Sequence, residues 1–166
     1  MSRWAQTYSR WPADGRPASL RTMWADTLLS LEQGHLLRLG AWAMLSSLSG
    51  TALLAWLAVR HATAPMVRHF GIQMAAWGVV NGMIAYWAWR GLTLRDFAGT
   101  QRLLNILWLN TGLDVGYAAV GVTLAIAGWR WGLRLGAVGA GLAVVVQGLV
   151  LALLDYRLIA LIGPVK

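Results

Sequence analysis

Four apolar blocks, at about residues 36–59, 69–89, 103–128 and 135–154 or longer, leave this chain few ways to fold. Each is near or above the roughly 20 residues that a helix needs to cross a bilayer core. Inside hydrocarbon a backbone must satisfy its own hydrogen bonds, and a run of this length does so as an α-helix. Only 12% of the residues are charged and 58% are hydrophobic, whereas a soluble domain carries about a quarter charged residues. The pattern predicts an all-α membrane protein, an antiparallel four-helix transmembrane bundle over residues 35–163. It leaves no room for a second folded domain.

Two segments precede the bundle. Residues 1–18 mix Arg3, Arg10 and Arg16 with Trp4, Trp11, Pro12 and Pro17. They read as a basic, flexible cytoplasmic arm rather than a secretory signal peptide, because no apolar run with a cleavage site follows the charges. Residues 19–34 place Leu20, Met23, Trp24, Leu28 and Leu31 at helical spacing. They predict an amphipathic helix, too short and too polar to span. It would lie in the membrane interface or pack across the bundle end, with Gly34 as its break from the first span.

The spans form two hairpins. Pro65 sits in a short link between the first and second, and 129–134 is a tight turn between the third and fourth. Gly40, Ala43, Ser47 and Gly50 share one face of the first span, and GxxxG occurs at Gly78–Gly82 and Gly112–Gly116. Such small residues let helix backbones approach closely. A faint repeat at an offset of 66 residues aligns Leu37 with Leu103, Trp42 with Trp108, Gly50 with Gly116 and Val79-Val80-Asn81-Gly82 with Val145-Val146-Gln147-Gly148. Two hairpins of equal orientation would be related by an axis along the membrane normal.

Arginine counting gives the orientation. Arg21, Arg38, Arg90, Arg95, Arg102, Arg157 and Lys166 fall on one side, and Arg60, Arg68, Arg130 and Arg134 on the other. The richer side is expected to be cytoplasmic, with both termini there. Trp24, Trp87 and Trp89 then belong to the inner interfacial belt, and Trp56, Trp129 and Trp131 to the outer one. The net charge of +8 is expected to meet anionic lipids at the cytoplasmic face rather than nucleic acid.

The polar residues inside the spans carry the functional question. At 1.5 Å per residue, Asp114 lies roughly 16 Å into the third span, near the midplane. Asn81 and Gln147 fall at similar depth in the second and fourth, as do Ser46, Ser47 and Ser49 in the first. Asn110, Asp114 and Tyr117 share one helix face. An ionised carboxylate in hydrocarbon costs about 2.5 kcal/mol or more. Asp114 is therefore expected to face the interior, either protonated or hydrogen-bonded to a partner in this layer. Asp114, Asn81, Asn110, Tyr117 and Gln147 form either a binding or proton site or a polar clasp that fixes helix register. Asp155 with Arg157 predicts an ion pair at the inner membrane edge; the sharper alternative is a proton entrance leading to Asp114.

Other chemistries find little support. There is no cysteine, which removes disulfides and thiolate sites, and no catalytic or metal motif is present. His61 and His69 flank one short loop, where they could hold a metal, haem or pigment; interfacial histidines without a ligand are the plainer reading. The only lysine is Lys166, so a retinal-type Schiff base has no amine within the spans.

The motifs His69…Trp77-Gly78-Val79-Val80-Asn81, Asn110-Thr111-Gly112-Leu113-Asp114-Val115-Gly116-Tyr117 and Gln147-Gly148…Leu154-Asp155 resemble an uncharacterised family of small bacterial four-span membrane proteins. The resemblance supports the fold and the choice of polar residues, and it brings no activity; the bias toward Arg over Lys with much Ala, Gly and Trp suggests a GC-rich bacterial genome, and so a bacterial cytoplasmic membrane. The residues leave three functional readings. The first is a non-enzymatic ligand- or lipid-binding protein, or an accessory subunit of a larger membrane complex or homo-oligomer. The second is a small proton-coupled transporter with Asp114 as the coupling acid. An intramembrane enzyme ranks last, since no catalytic constellation is legible.

Overall fold

The structure, a computed structural model, describes residues 18–163, with side chains from Trp24 onward. The basic arm therefore falls outside the described residues apart from Ala18, as does Lys166. Among the described residues there are four helices and no strand: α1 (Ala18–Val59), α2 (Pro65–Arg90), α3 (Phe97–Arg130) and α4 (Leu135–Ile162). From Trp24 onward, α1 is long and apolar enough to cross a membrane, and so are α3 and α4. Gln73, Asn81 and a run of glycines and tryptophans keep α2 below that hydropathy, although its 26 residues reach about 39 Å.

Helix ends follow from local chemistry. Pro65 opens α2, where its missing N–H costs nothing. Asp96 caps α3, its carboxylate accepting from the Gly99 N–H at 2.7 Å. After Arg130, Gly132 takes a φ of +86°, a left-handed conformation open to glycine. Leu133 follows it into that region at φ 51°, and the chain turns back within four residues.

The separate interfacial helix is not found. α1 runs without a break through Gly34. The reason is visible in its buried stripe: Leu28, Glu32, His35, Leu39, Ala43 and Ser46 are spaced by three or four residues with no change of phase across the glycine. A glycine inside a helix costs about 1 kcal/mol, less than this continuous packing returns. Leu28 joins Leu104 and Leu107 of α3 and Leu158, Ile159 and Ile162 of α4 in one apolar cluster. Trp24 packs against that cluster instead of joining an outward-facing belt, and its Nε1 is buried without a partner. Trp56, Trp87, Trp89, Trp129 and Trp131 are exposed, as belt residues need to be.

The helices alternate in direction. Gly50 of α1 meets Gly71 and Ala75 of α2, while Ala43 and Ser47 meet Gly78. On the other side, Gly121 meets Gly141 and Gly148 meets Asp114 and Ala118. Both pairings are antiparallel, and α2 runs parallel to α4. α4 packs on α1, α2 and α3, but α2 and α3 do not pack closely on each other. Large apolar side chains such as Leu48, Val79, Leu109, Val120, Leu149 and Leu153 cover the outside, a surface suited to lipid rather than water.

Two glycines sit where backbones touch. A Cβ at Gly78 would lie 2.7 Å from the Ala43 carbonyl oxygen. One at Gly148 would lie 3.0 Å from the Ala118 nitrogen and closer still to the Asp114 carbonyl. Gly112 and Gly116 differ from the sequence expectation. Among the described residues nothing approaches within 4 Å of a Cβ at either, so that GxxxG is not a helix-packing seam there. α3 seats on α4 through Gly121 and Gly128 instead. Gly148→Val is therefore expected to destabilise the protein by about 1–3 kcal/mol or prevent assembly, whereas Gly112→Val should leave it unchanged. Thermal unfolding of both variants in detergent checks the contrast.

Candidate functional site

The polar layer expected at mid-depth divides into two structures. The first is a closed clasp around Gln147. Its Oε1 accepts from Trp42 Nε1 at 2.9 Å and from Asn81 Nδ2 at 3.2 Å. Its Nε2 donates to Ser46 Oγ at 3.0 Å and to Met74 Sδ at 3.4 Å. A glutamine amide has two donors and two acceptor lone pairs, so the side chain, 2% exposed, is fully satisfied. It joins α1, α2 and α4. Asn81 and Ser46 were legible at this depth in the sequence. Trp42 was not, though it stands one helical turn before Ser46 and points the same way.

Asp114 is not part of the clasp. It is 8% exposed, and it lines a cleft of about 690 Å³ whose wall Asn81 shares. The space exists because α2 and α3 stand apart. Val80 and Ile84 of α2 face Ile106 and Leu113 of α3 across the opening, and all four are exposed. Leu39 of α1 and Leu151 and Leu158 of α4 form the floor. From Leu103 to Tyr117 the α3 wall is about 21 Å long by helical rise.

Polar groups are arranged along this cleft in order. At one end Arg95 Nε bonds both oxygens of Glu32, at 2.8 and 3.0 Å, tying the α2–α3 link to α1. Next, His35 Nε2 lies 3.3 Å from Asp155 Oδ1, and the His35 ring also bonds the Leu154 carbonyl. Asn110 faces the Asp155 carboxylate. Asp114 comes one turn of α3 further in. Trp77 and Tyr117 then close the far end, with ring centroids 5.6 Å apart at 58°; they bridge the gap between α2 and α3.

The expected pair of Asp155 and Arg157 is replaced by Asp155 and His35. Residues two apart on a helix do not face each other, and Arg157 is exposed on the outside of α4. Nothing in the sequence pattern pairs positions 35 and 155: His35, the first residue of the expected bundle, sits at the break expected at Gly34 with no face assigned to it. Glu32 and Arg95 escape notice because Glu32 belongs to the segment read as separate from the bundle. His61 and His69 line a shallow second pocket at the α1–α2 turn together with Arg68, and the His69 ring lies against Gly136 of α4. Among the described residues no three His, Cys, Asp or Glu side chains converge as metal ligands.

The clasp and the carboxylate differ in what their loss should do. Gln147→Leu leaves Asn81 and Trp42 without an acceptor and should cost about 1–3 kcal/mol. Asp114→Asn removes no hydrogen bond and should cost less than Gln147→Leu. Denaturation of the two variants in mixed micelles measures the order.

Neither a curated protein nor a solved structure matches the chain. A family model does, over residues 38–156. That stretch holds Asn81, Asn110, Asp114, Tyr117, Gln147 and Asp155 and reaches into α1, upstream of the motifs that begin at His69. The chain belongs to the family of unknown function DUF6992.

Proposed function

We propose that this is a non-enzymatic integral membrane protein whose lateral cleft holds a lipophilic ligand. The observation that carries this reading is the cleft itself. Its size, about 690 Å³, falls in the range of small-molecule sites, and its mix of apolar walls with a few fixed polar groups is theirs as well. An opening between two apolar helices admits a ligand from the bilayer. If α1 and α3 cross the membrane, α2 must return across it, because it runs antiparallel to α1 and links to both neighbours through short segments. Arginine counting then puts the Arg95–Glu32 end of the cleft at the inner face of a bacterial cytoplasmic membrane, with anionic lipid around it.

Purification in mild detergent, followed by mass spectrometry, tests this. A lipophilic molecule should co-purify at about one per chain, and Leu113→Trp, which fills the opening, should remove it without unfolding the protein. Bulk lipid alone, in equal amounts on both proteins, would refute the reading.

A second reading, a small proton-coupled carrier with Asp114 as the coupling acid, is favoured by one feature. Asp155 and Asp114 succeed each other along the cleft from its end to mid-depth. A carrier needs a further path past Trp77 and Tyr117. Proteoliposomes with an internal pH dye should then show flux that Asp114→Asn abolishes; absence of flux in the unmodified protein removes this reading.

A further inference from the structure

The chemistry of the ligand head follows from which charges in the cleft are already matched; this rests on the cleft being a ligand site. Five ionisable side chains other than tyrosine line it: Glu32, His35, Arg95, Asp114 and Asp155. The Arg95 guanidinium is held by Glu32 through two bonds. Asp155 has His35 and Asn110. Asp114 has no hydrogen bond or ion pair, yet it is more than nine-tenths buried and lines the cleft wall. Among the described residues, no cation along the cleft is left over for an anionic head. A carboxylate kept out of water without a partner is expensive, and a positive ligand group would offset that cost.

The surroundings of Asp114 fit such a group. Tyr117 is on the same face of α3, and its ring meets that of Trp77 from α2. Aromatic faces attract ammonium groups, and more strongly where water is scarce. Toward the Arg95 end, the α2–α3 opening is edged by Ile84 and by Leu113, Ile106 and Leu103, an aliphatic strip about 15 Å long by helical rise, which suits an alkyl chain. We propose that the cleft binds a lipophilic cation, an amphiphile whose ammonium-type head sits at Asp114 beside the Trp77–Tyr117 rings, with its tail along the α2–α3 opening.

A pair of photoreactive probes tests this on the full chain in nanodiscs of zwitterionic lipid. One is hexadecylamine and the other hexadecanol, each with a mid-chain diazirine. Peptide mapping scores labelling of the cleft wall against the outer face of α3. The amine should label the wall at concentrations about tenfold or more below those the alcohol needs. Asp114→Asn should bring the two to parity, and Trp77→Leu should weaken the amine selectively. If the alcohol labels the wall as well as the amine in the unmodified protein, the cationic head is wrong while the cleft survives as a neutral-ligand site. If neither probe prefers the wall over the outer face, the ligand-binding reading fails with it. The comparison within the unmodified protein decides the matter even if a variant does not fold.

Discussion

Gln147 fixes the interior of this bundle. Between helices in a bilayer there is little hydrophobic drive, and association rests on close packing and on hydrogen bonds worth on the order of 1 kcal/mol each. One amide that uses all its donors and acceptors, twice toward α1 and twice toward α2, sets the register of three helices together. The fourth, α3, has no share in it. Its backbone seam is with α4, through Gly121, Gly128 and Gly148, and α2 remains at a distance. The cleft is the space that this unequal bonding leaves.

The division also explains why Asp114 and Gln147, level with each other in the sequence, have different surroundings. Gly148 lies against the Asp114 backbone carbonyl, so α3 touches α4 with its main chain at this point. The Asp114 side chain leaves that seam toward the cleft. Gln147, one residue from Gly148, points the other way, into the clasp. A matched depth therefore did not imply a matched neighbourhood.

Much of the fold was legible. Four apolar blocks, Pro65 and the tight turn near Gly132 required helices with short links, and Asp114, expected to face the interior, is buried, as are Asn81 and Gln147 at the same expected depth. The offset of 66 residues that aligned Asn81 with Gln147 also bears on the structure, since these two bond each other across parallel helices. The repeat does not extend to the other helices. Trp42 bonds inside the bundle while Trp108 is exposed, and Gly50 is packed while Gly116 is open. Helical rotation decides such matters, and composition does not encode it. The break expected at Gly34 failed because local propensity was weighed without the phase of the stripe from Leu28 to Ser46. With that segment set apart, Glu32–Arg95 could not be anticipated, and His35, at the expected break, had no assigned face from which to reach Asp155.

The length of α1 has a further consequence. Its 42 residues make about 63 Å of helix, roughly twice a hydrocarbon core. The surplus does not leave the bundle; it is pinned beside the start of α3 and the end of α4 by the cluster around Leu28. The same rod that packs against α2 near the far turn through Gly50 thus carries Glu32 and His35 at the cleft. A force applied to the segment ahead of Trp24, by a headgroup or by another subunit, would pass along one rigid lever to the Arg95 and Asp155 contacts.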